Sequence, residues 1–209
     1  MISQRTHRIA LWLVTPFTAL LMAACTGEGG GDAETAGEED TAEASEAVQM
    51  ACPAGANCGL TWVKAYHTNA RGQDSVTCHD SSVTPAQSCN PYTGDTDCKL
   101  ARPILCIRKD GSASNGFVGS FYNGWAAGNL GLTHPIAGTS LTSLATANAY
   151  CVDEFGPGWQ MAEHHDGGGG WGFTAYGNLK DRYSAASSTH TLQDRFWVHI
   201  NDVPQGNCW

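Results

Sequence analysis

The densest group of side chains able to do chemistry is Glu163-His164-His165-Asp166, set directly before the glycines Gly167 to Gly170. Neutral imidazole with carboxylate suits zinc or another transition metal, and carboxylate oxygens suit calcium. In an extended chain alternate side chains share a face, so Glu163 would point with His165 and His164 with Asp166. Distant residues would complete a metal set: His190, His199 or Asp202. The set expected here is Glu163, His165 and Asp202, holding zinc or calcium. The alternative is a strand end with one buried, hydrogen-bonded histidine and the rest in water. The spacing is not the His-Glu-x-x-His of a helical zinc site.

The glycine run offers a different chemistry. Glycines permit close backbone approach, and Trp171, Phe173 and Tyr176 follow them with apolar faces able to pack on sugar C–H groups or on a partner protein. His165 and Asp166 on the near side supply hydrogen bonds. Together His165, Asp166, Trp171, Phe173 and Tyr176 are the expected ligand surface, since binding residues concentrate on loops carried by a rigid scaffold. Trp159 and Trp197, on expected strands, read as core. No Gly-Lys-Ser/Thr follows the glycines, so this is no phosphate loop, and no Gly-x-Ser-x-Gly supports serine catalysis. No catalytic residue is assigned, and the reading leans away from an enzyme.

These residues need elements to carry them. Pro103–Arg108, Phe117–Tyr122, Trp125–Thr133, Trp159–His164 and Arg195–Asn201 read as short strands. Asp110-Gly111, Asn115-Gly116 and Asn123-Gly124 are hairpin turn dipeptides. One helix is expected over about 140–155, capped by Ser140, with Leu141, Leu144, Ala145, Cys151 or Val152, and Phe155 at helical spacing, and stopped by Gly156-Pro157. Lys180–Thr191 reads as a polar surface loop. The fold class is α+β: a disulfide-stapled, loop-rich small domain with short antiparallel strands and one main helix.

Eight cysteines lie beyond residue 50: Cys52, Cys58, Cys78, Cys89, Cys98, Cys106, Cys151 and Cys208. The even count and the missing Cys-x-x-Cys point to disulfides rather than a zinc ribbon or a redox pair. Six of them fall within 52–106, which reads as a Cys-rich loop region (50–102) dependent on its bridges. Neighbours suggest Cys52–Cys58, Cys78–Cys89 and Cys98–Cys106. A Cys151–Cys208 bridge would close a long loop between the helix and the C-terminal strand.

The N-terminal region reads as an address. Arg5, His7 and Arg8 precede a mostly apolar stretch from Ile9 to Ala24, which ends Leu21-Met22-Ala23-Ala24-Cys25. This resembles the lipobox of bacterial lipoproteins, in which Cys25 would be the acylated first residue of the mature chain. The resemblance implies a signal peptide over 1–24 and a membrane anchor through lipid at Cys25. It implies a place in the cell envelope, with the outer membrane favoured because no Asp follows the cysteine. Residues 25–49 carry eight acidic side chains and no Lys or Arg. Such a segment buries too little apolar surface to offset its conformational entropy, so it reads as a disordered tether reaching roughly 80 Å at ~3.3–3.6 Å per residue.

A second resemblance covers residues 103–209. Ala147-x-x-x-Cys151 runs into Phe155-Gly156-Pro157-Gly158-Trp159-Gln160-Met161-Ala162, followed by Phe196-Trp197-Val198-His199-Ile200-Asn201-Asp202 and a cysteine near the C-terminus. This looks like the C-type-lectin-like fold, where the helix cysteine pairs with one in the last strands. Neither the Glu-Pro-Asn nor the Gln-Pro-Asp of its calcium-dependent sugar binders occurs here, while Asn201-Asp202 resembles their calcium strand.

Charge excludes some partners. The chain of 209 residues has a formal net charge of −9. A nucleic-acid binder needs a basic face, so nucleic acid is not an expected partner. Residues 50–209 hold nine basic and twelve acidic side chains, so the domain itself is nearly balanced. The expected function is a lipid-anchored envelope protein whose exported domain binds a glycan or an envelope protein. A metal-dependent hydrolase of envelope polymers and a structural envelope protein are the alternatives.

Overall fold

The computed structural model describes residues 52–78, 89–179 and 195–209, all within one compact unit. The lipobox, Cys25, the acidic tether, His190 and the 180–191 loop lie outside the described residues. Strands come in chain order as β1 (Cys58–Gly59), β2 (Thr61–Thr68), β3 (Gln73–Thr77), β4 (Thr96–Asp97), β5 (Ala101–Arg102), β6 (Leu105–Lys109), β7 (Gly124–Leu132), β8 (Ile136–Ala137), β9 (Gln160–Met161), β10 (Gly172–Tyr176) and β11 (Phe196–Trp197). The one α-helix among them, α1, spans Leu144–Phe155. This is a small disulfide-rich α+β domain.

Seven strands form the main sheet in the order β11-β2-β3-β10-β7-β6-β9. Neighbours are antiparallel except β10 and β7, which run parallel. Two-stranded pairs β1–β4 and β5–β8 flank it. β2 and β3 are interior strands of the sheet, each paired on both sides, and are joined by a tight turn with Gly72 at φ +61°. Residues 50–102 are therefore not the loop region that their cysteine density suggested. Thr61–Lys64 and Gln73–Val76 are buried almost without interruption, so β2 and β3 lack the apolar–polar alternation that marks a half-exposed strand.

Alternation along the outer strands separates two apolar clusters. Leu105 and Ile107 join a larger cluster with Trp62, Val76, Phe173, Phe196 and Ile200, while Cys106 between them faces a smaller one. Phe196 and Trp197 divide in the same way. The smaller cluster is roofed by α1 through Ala147 and Cys151, with Leu141, Met161 and Trp197. The helix starts one turn later than expected. Its N-cap is Ser143, whose Oγ accepts the Thr146 N–H at 3.1 Å, while Ser140 ends a short 3-10 turn. Gly156 at φ +94° closes it, as Gly-Pro predicted. Asn148 of α1 accepts the Met161 N–H at 2.8 Å and so fastens the helix to β9.

Four disulfides staple the fold: Cys52–Cys58, Cys78–Cys89, Cys98–Cys208 and Cys106–Cys151. The two short-range pairs match the neighbour reading. The expected Cys98–Cys106 and Cys151–Cys208 bridges are replaced. Cys106 faces the helix across the smaller cluster and meets Cys151 at a Cα separation of 5.7 Å, and Cys98 and Cys208 are left to pair across 110 residues of chain. Sequence proximity failed here because β6 turns Cys106 away from Cys98.

Two buried ionic groups hold the described residues on either side of 180–194. Asp74, fully buried, accepts the Leu179 N–H at 2.6 Å and pairs with Lys64 at 3.3 Å and His67 at 2.7 Å. Asp95 pairs with Arg195 at 3.5 Å and accepts the Thr61 N–H at 3.1 Å, and Arg195 Nε donates to Thr61 Oγ1 at 2.6 Å. A buried charge is costly unless paired and hydrogen-bonded, and these groups are both.

Candidate functional site

The Glu163–Asp166 cluster is a hydrogen-bonded turn. Glu163 Oε2 accepts the His165 N–H at 2.6 Å, and Oε1 lies 3.1 Å from His165 Nδ1 and accepts the Asn201 N–H at 3.2 Å. Asp166 Oδ2 accepts the Glu163 N–H at 2.8 Å, and Oδ1 pairs with Lys109 Nζ at 2.6 Å. Both carboxylates are thus occupied by donors of the chain itself. Among the described residues no group of three or more His, Cys, Asp or Glu side chains is arranged to hold a metal ion. Glu163 and His165 meet each other, but Asp202 does not join them as a third ligand. Glu163 instead ties the 163–166 turn to the strand end at Asn201.

His164 is buried, its ring set edge-on to Trp62 at 5.3 Å and to Trp171 at 5.7 Å. His199 is buried beside the same turn, forming a parallel bridge with Glu163. Burial pushes its pKa below the ordinary histidine value, against the opposing pull of the Glu163 and Asp166 charges. The motif has the buried histidine of the second alternative, but Glu163 and the Asp166 carboxylate are withdrawn from water as well, because they serve as acceptors within the turn.

The glycine run has a steric purpose. Any side chain on Gly169 would collide with the Phe121 carbonyl, and one on Gly124 with the Gly167 backbone. Two loops therefore touch backbone to backbone, which only glycine allows. Asn123 fixes the other side of that contact: its Nδ2 donates to Ser75 Oγ at 3.0 Å, and its Oδ1 accepts from Thr174 Oγ1 at 2.9 Å. Residues 117–122, expected as a strand, are an irregular hairpin tip, with Val118, Phe121 and Tyr122 exposed.

A groove of about 370 Å³ opens where these loops meet. It is lined by Tyr92, Phe121 and Trp171, by His164 and His165, by Gly168–Gly170, and by Pro91, Ile200, Asp202 and Val203. Tyr92 is held by a turn in which Asn90 Oδ1 accepts the Tyr92 and Thr93 N–H groups, and Asn90 itself donates its N–H to Asp95. Trp171 sits at φ +76°, an uncommon conformation for a bulky residue. Its carbonyl accepts the Cys78 N–H and the Thr77 hydroxyl, which holds the strained backbone in place.

Of the five expected ligand residues, His165 and Trp171 line the groove. Asp166 has a nearly buried carboxylate committed to Lys109. Phe173 is fully buried against Trp62, because it faces inward from β10. Tyr176 stands away from the groove; its hydroxyl donates to the Ala113 carbonyl and its ring meets Trp125 edge-on at 5.1 Å. It braces the 112–114 loop, as do Trp125 through the Ser112 carbonyl and Gln73 through that of Ser114. Sequence reasoning missed Tyr92, for which Asn90-Pro91 was the available turn signal, and it placed Phe121 on a strand. Among the described residues no helix is long and apolar enough to cross a membrane. No family model, no curated protein and no solved structure matches this chain.

Proposed function

We propose that this chain is a lipid-anchored cell-envelope protein whose exported domain is a glycan-binding module. The observation that carries the binding reading is the groove, where Tyr92 and Phe121 are 63% and 67% exposed beside Trp171 and a set of polar edges. Exposed large aromatics cost solubility unless they serve contact, and flat rings beside hydrogen-bonding groups match the amphipathic faces of sugars. Anchoring rests on the lipobox resemblance at Leu21–Cys25, and the acidic segment that follows supports a spacer. A hydrolase reading loses its support because the Glu163 and Asp166 carboxylates are taken up by backbone amides and Lys109. We likewise propose that residues 103–209 are a variant of the C-type-lectin-like fold. The helix cysteine and the Phe-Trp-Val strand support this, with Cys151 bonded to β6 instead of to the last cysteine.

A glycan array probed with the full chain and with Phe121→Ala tests the binding reading. Retained melting temperature with lost glycan signal supports it; equal signal from both proteins overturns it. Cys25→Ser tests the anchor: the variant leaves the membrane fraction, and continued membrane retention with normal processing removes the lipoprotein reading.

A further inference from the structure

We infer that the groove selects an amino sugar carrying a free ammonium group, an inference that rests on the glycan-binding reading above. Among the described residues the lining contains three aromatic rings, two imidazoles and one carboxylate, Asp202, and neither Lys nor Arg. An ammonium is attracted to the negative face of an aromatic ring, most strongly to Trp, and a nearby carboxylate adds to the attraction. Tyr92, Phe121 and Trp171 supply the rings, and Asp202 supplies an exposed carboxylate at the same groove.

The charges behind the lining point the same way. Glu163 accepts the His165 N–H, Asp166 accepts the Glu163 N–H in the same turn, and Lys109 offsets one of the two charges by pairing with Asp166 at 2.6 Å. Counting Asp202, the described residues at this corner bring three carboxylates against one lysine. The field at the groove is therefore negative, which repels acidic sugars and favours a cationic one. Asp202 owes its place to Glu163, which accepts the N–H of the neighbouring Asn201. A neutral N-acetylated sugar would keep the stacking and forgo both cation terms.

Titration calorimetry of the full chain compares four probes: a β-1,4-linked glucosamine tetramer, its N-acetylated counterpart, a galacturonate tetramer and tetramethylammonium chloride. The glucosamine tetramer binds at least tenfold tighter than the acetylated one, the galacturonate tetramer does not bind, and Asp202→Asn removes the preference. Asp202 is exposed, so this variant keeps its fold, checked by an unchanged melting temperature. Phe121→Ala weakens both glucosamine and acetylated tetramers. Equal or tighter binding of the acetylated tetramer, lost in Phe121→Ala, overturns the ammonium inference and leaves the glycan reading standing. Absence of binding by every saccharide, with or without binding of tetramethylammonium, overturns both.

Discussion

The two faces of the main sheet are finished in different ways. On one, α1 lies over Ile104, Met161 and Trp197 and is bonded to β6 through Cys106–Cys151. Its links to the sheet are apolar contacts, a covalent bond and the Asn148 side chain that accepts the Met161 N–H. On the other, the larger cluster is flanked by the 163–171 turn and the 200–203 segment, which bring Trp171 and Val203 against it. Those loops are tied by backbone N–H groups that donate to Glu163, Asp166 and Asn207. A helix roof seals its face, whereas loops meeting at an angle leave a groove between them. The loop-flanked face is where ligand contact is proposed, consistent with local stability being lowest where binding surfaces lie.

Substitutions within each face sharpen this contrast. Phe173→Ala removes a fully buried ring from the larger cluster and costs about 3–5 kcal/mol, measured by urea unfolding. Phe121→Ala, on the groove rim, shifts stability by less than about 0.5 kcal/mol. Equal costs would mean that the rim is part of the core. Replacing Cys106 and Cys151 together by serine costs about 2–5 kcal/mol, because the bridge closes 45 residues. The Cys52–Cys58 double serine variant, closing 6 residues, loses less. A reversed order would show that the helix face does not depend on its covalent link.

Glu163→Gln leaves an amide where two backbone N–H groups and the His165 ring need acceptors. It costs about 1.5–3 kcal/mol and loosens the groove in hydrogen exchange at Asn201 and His165. Protection unchanged at both amides would mean that the carboxylate does not hold the turn. His199 gives a pH test. Its folded-state pKa is lowered by burial, so the unfolded chain binds the proton first as pH falls below about 6.5. Stability contributed by neutral His199 is full above that value and declines on acidification, by at most about 1.4 kcal/mol per pH unit for one proton. His199→Gln should flatten that slope in melts between neutral and mildly acidic pH. The smallest effect is on the helix face, where Ser143→Ala removes the N-cap acceptor and lowers stability by about 1 kcal/mol without touching ligand binding.

Local chemistry made part of this legible in the sequence. Gly156-Pro157 had to end a helix, since no β-carbon and no proline N–H leave the helical path open. Pro103–Arg108 and Trp125–Thr133 read as strands beside turn residues, and β6 and β7 lie within one or two residues of those bounds. Cys52–Cys58 and Cys78–Cys89 followed from proximity. The glycine run was recognised as a place of close approach, though not what approaches it.

Other features depended on contacts far apart in the chain. β2 and β3 looked like loop because both of their faces are covered, which erases alternation. Phe173 and Trp171 are two residues apart and equally aromatic, yet one is core and the other lines the groove. Trp171 stands just before β10 at φ +76°, outside the alternation by which β10 turns Phe173 inward. Glu163, His165 and Asp202 have the types of a metal site, but Asn201 and His165 donate their amides to Glu163 first. Whether a carboxylate binds a cation or holds a turn is decided by which donors the fold brings within 3 Å, and composition cannot encode that distance. The amino acids determined which groups were available; the tertiary structure decided which were already spoken for, because each lone pair and each sheet face can be used only once.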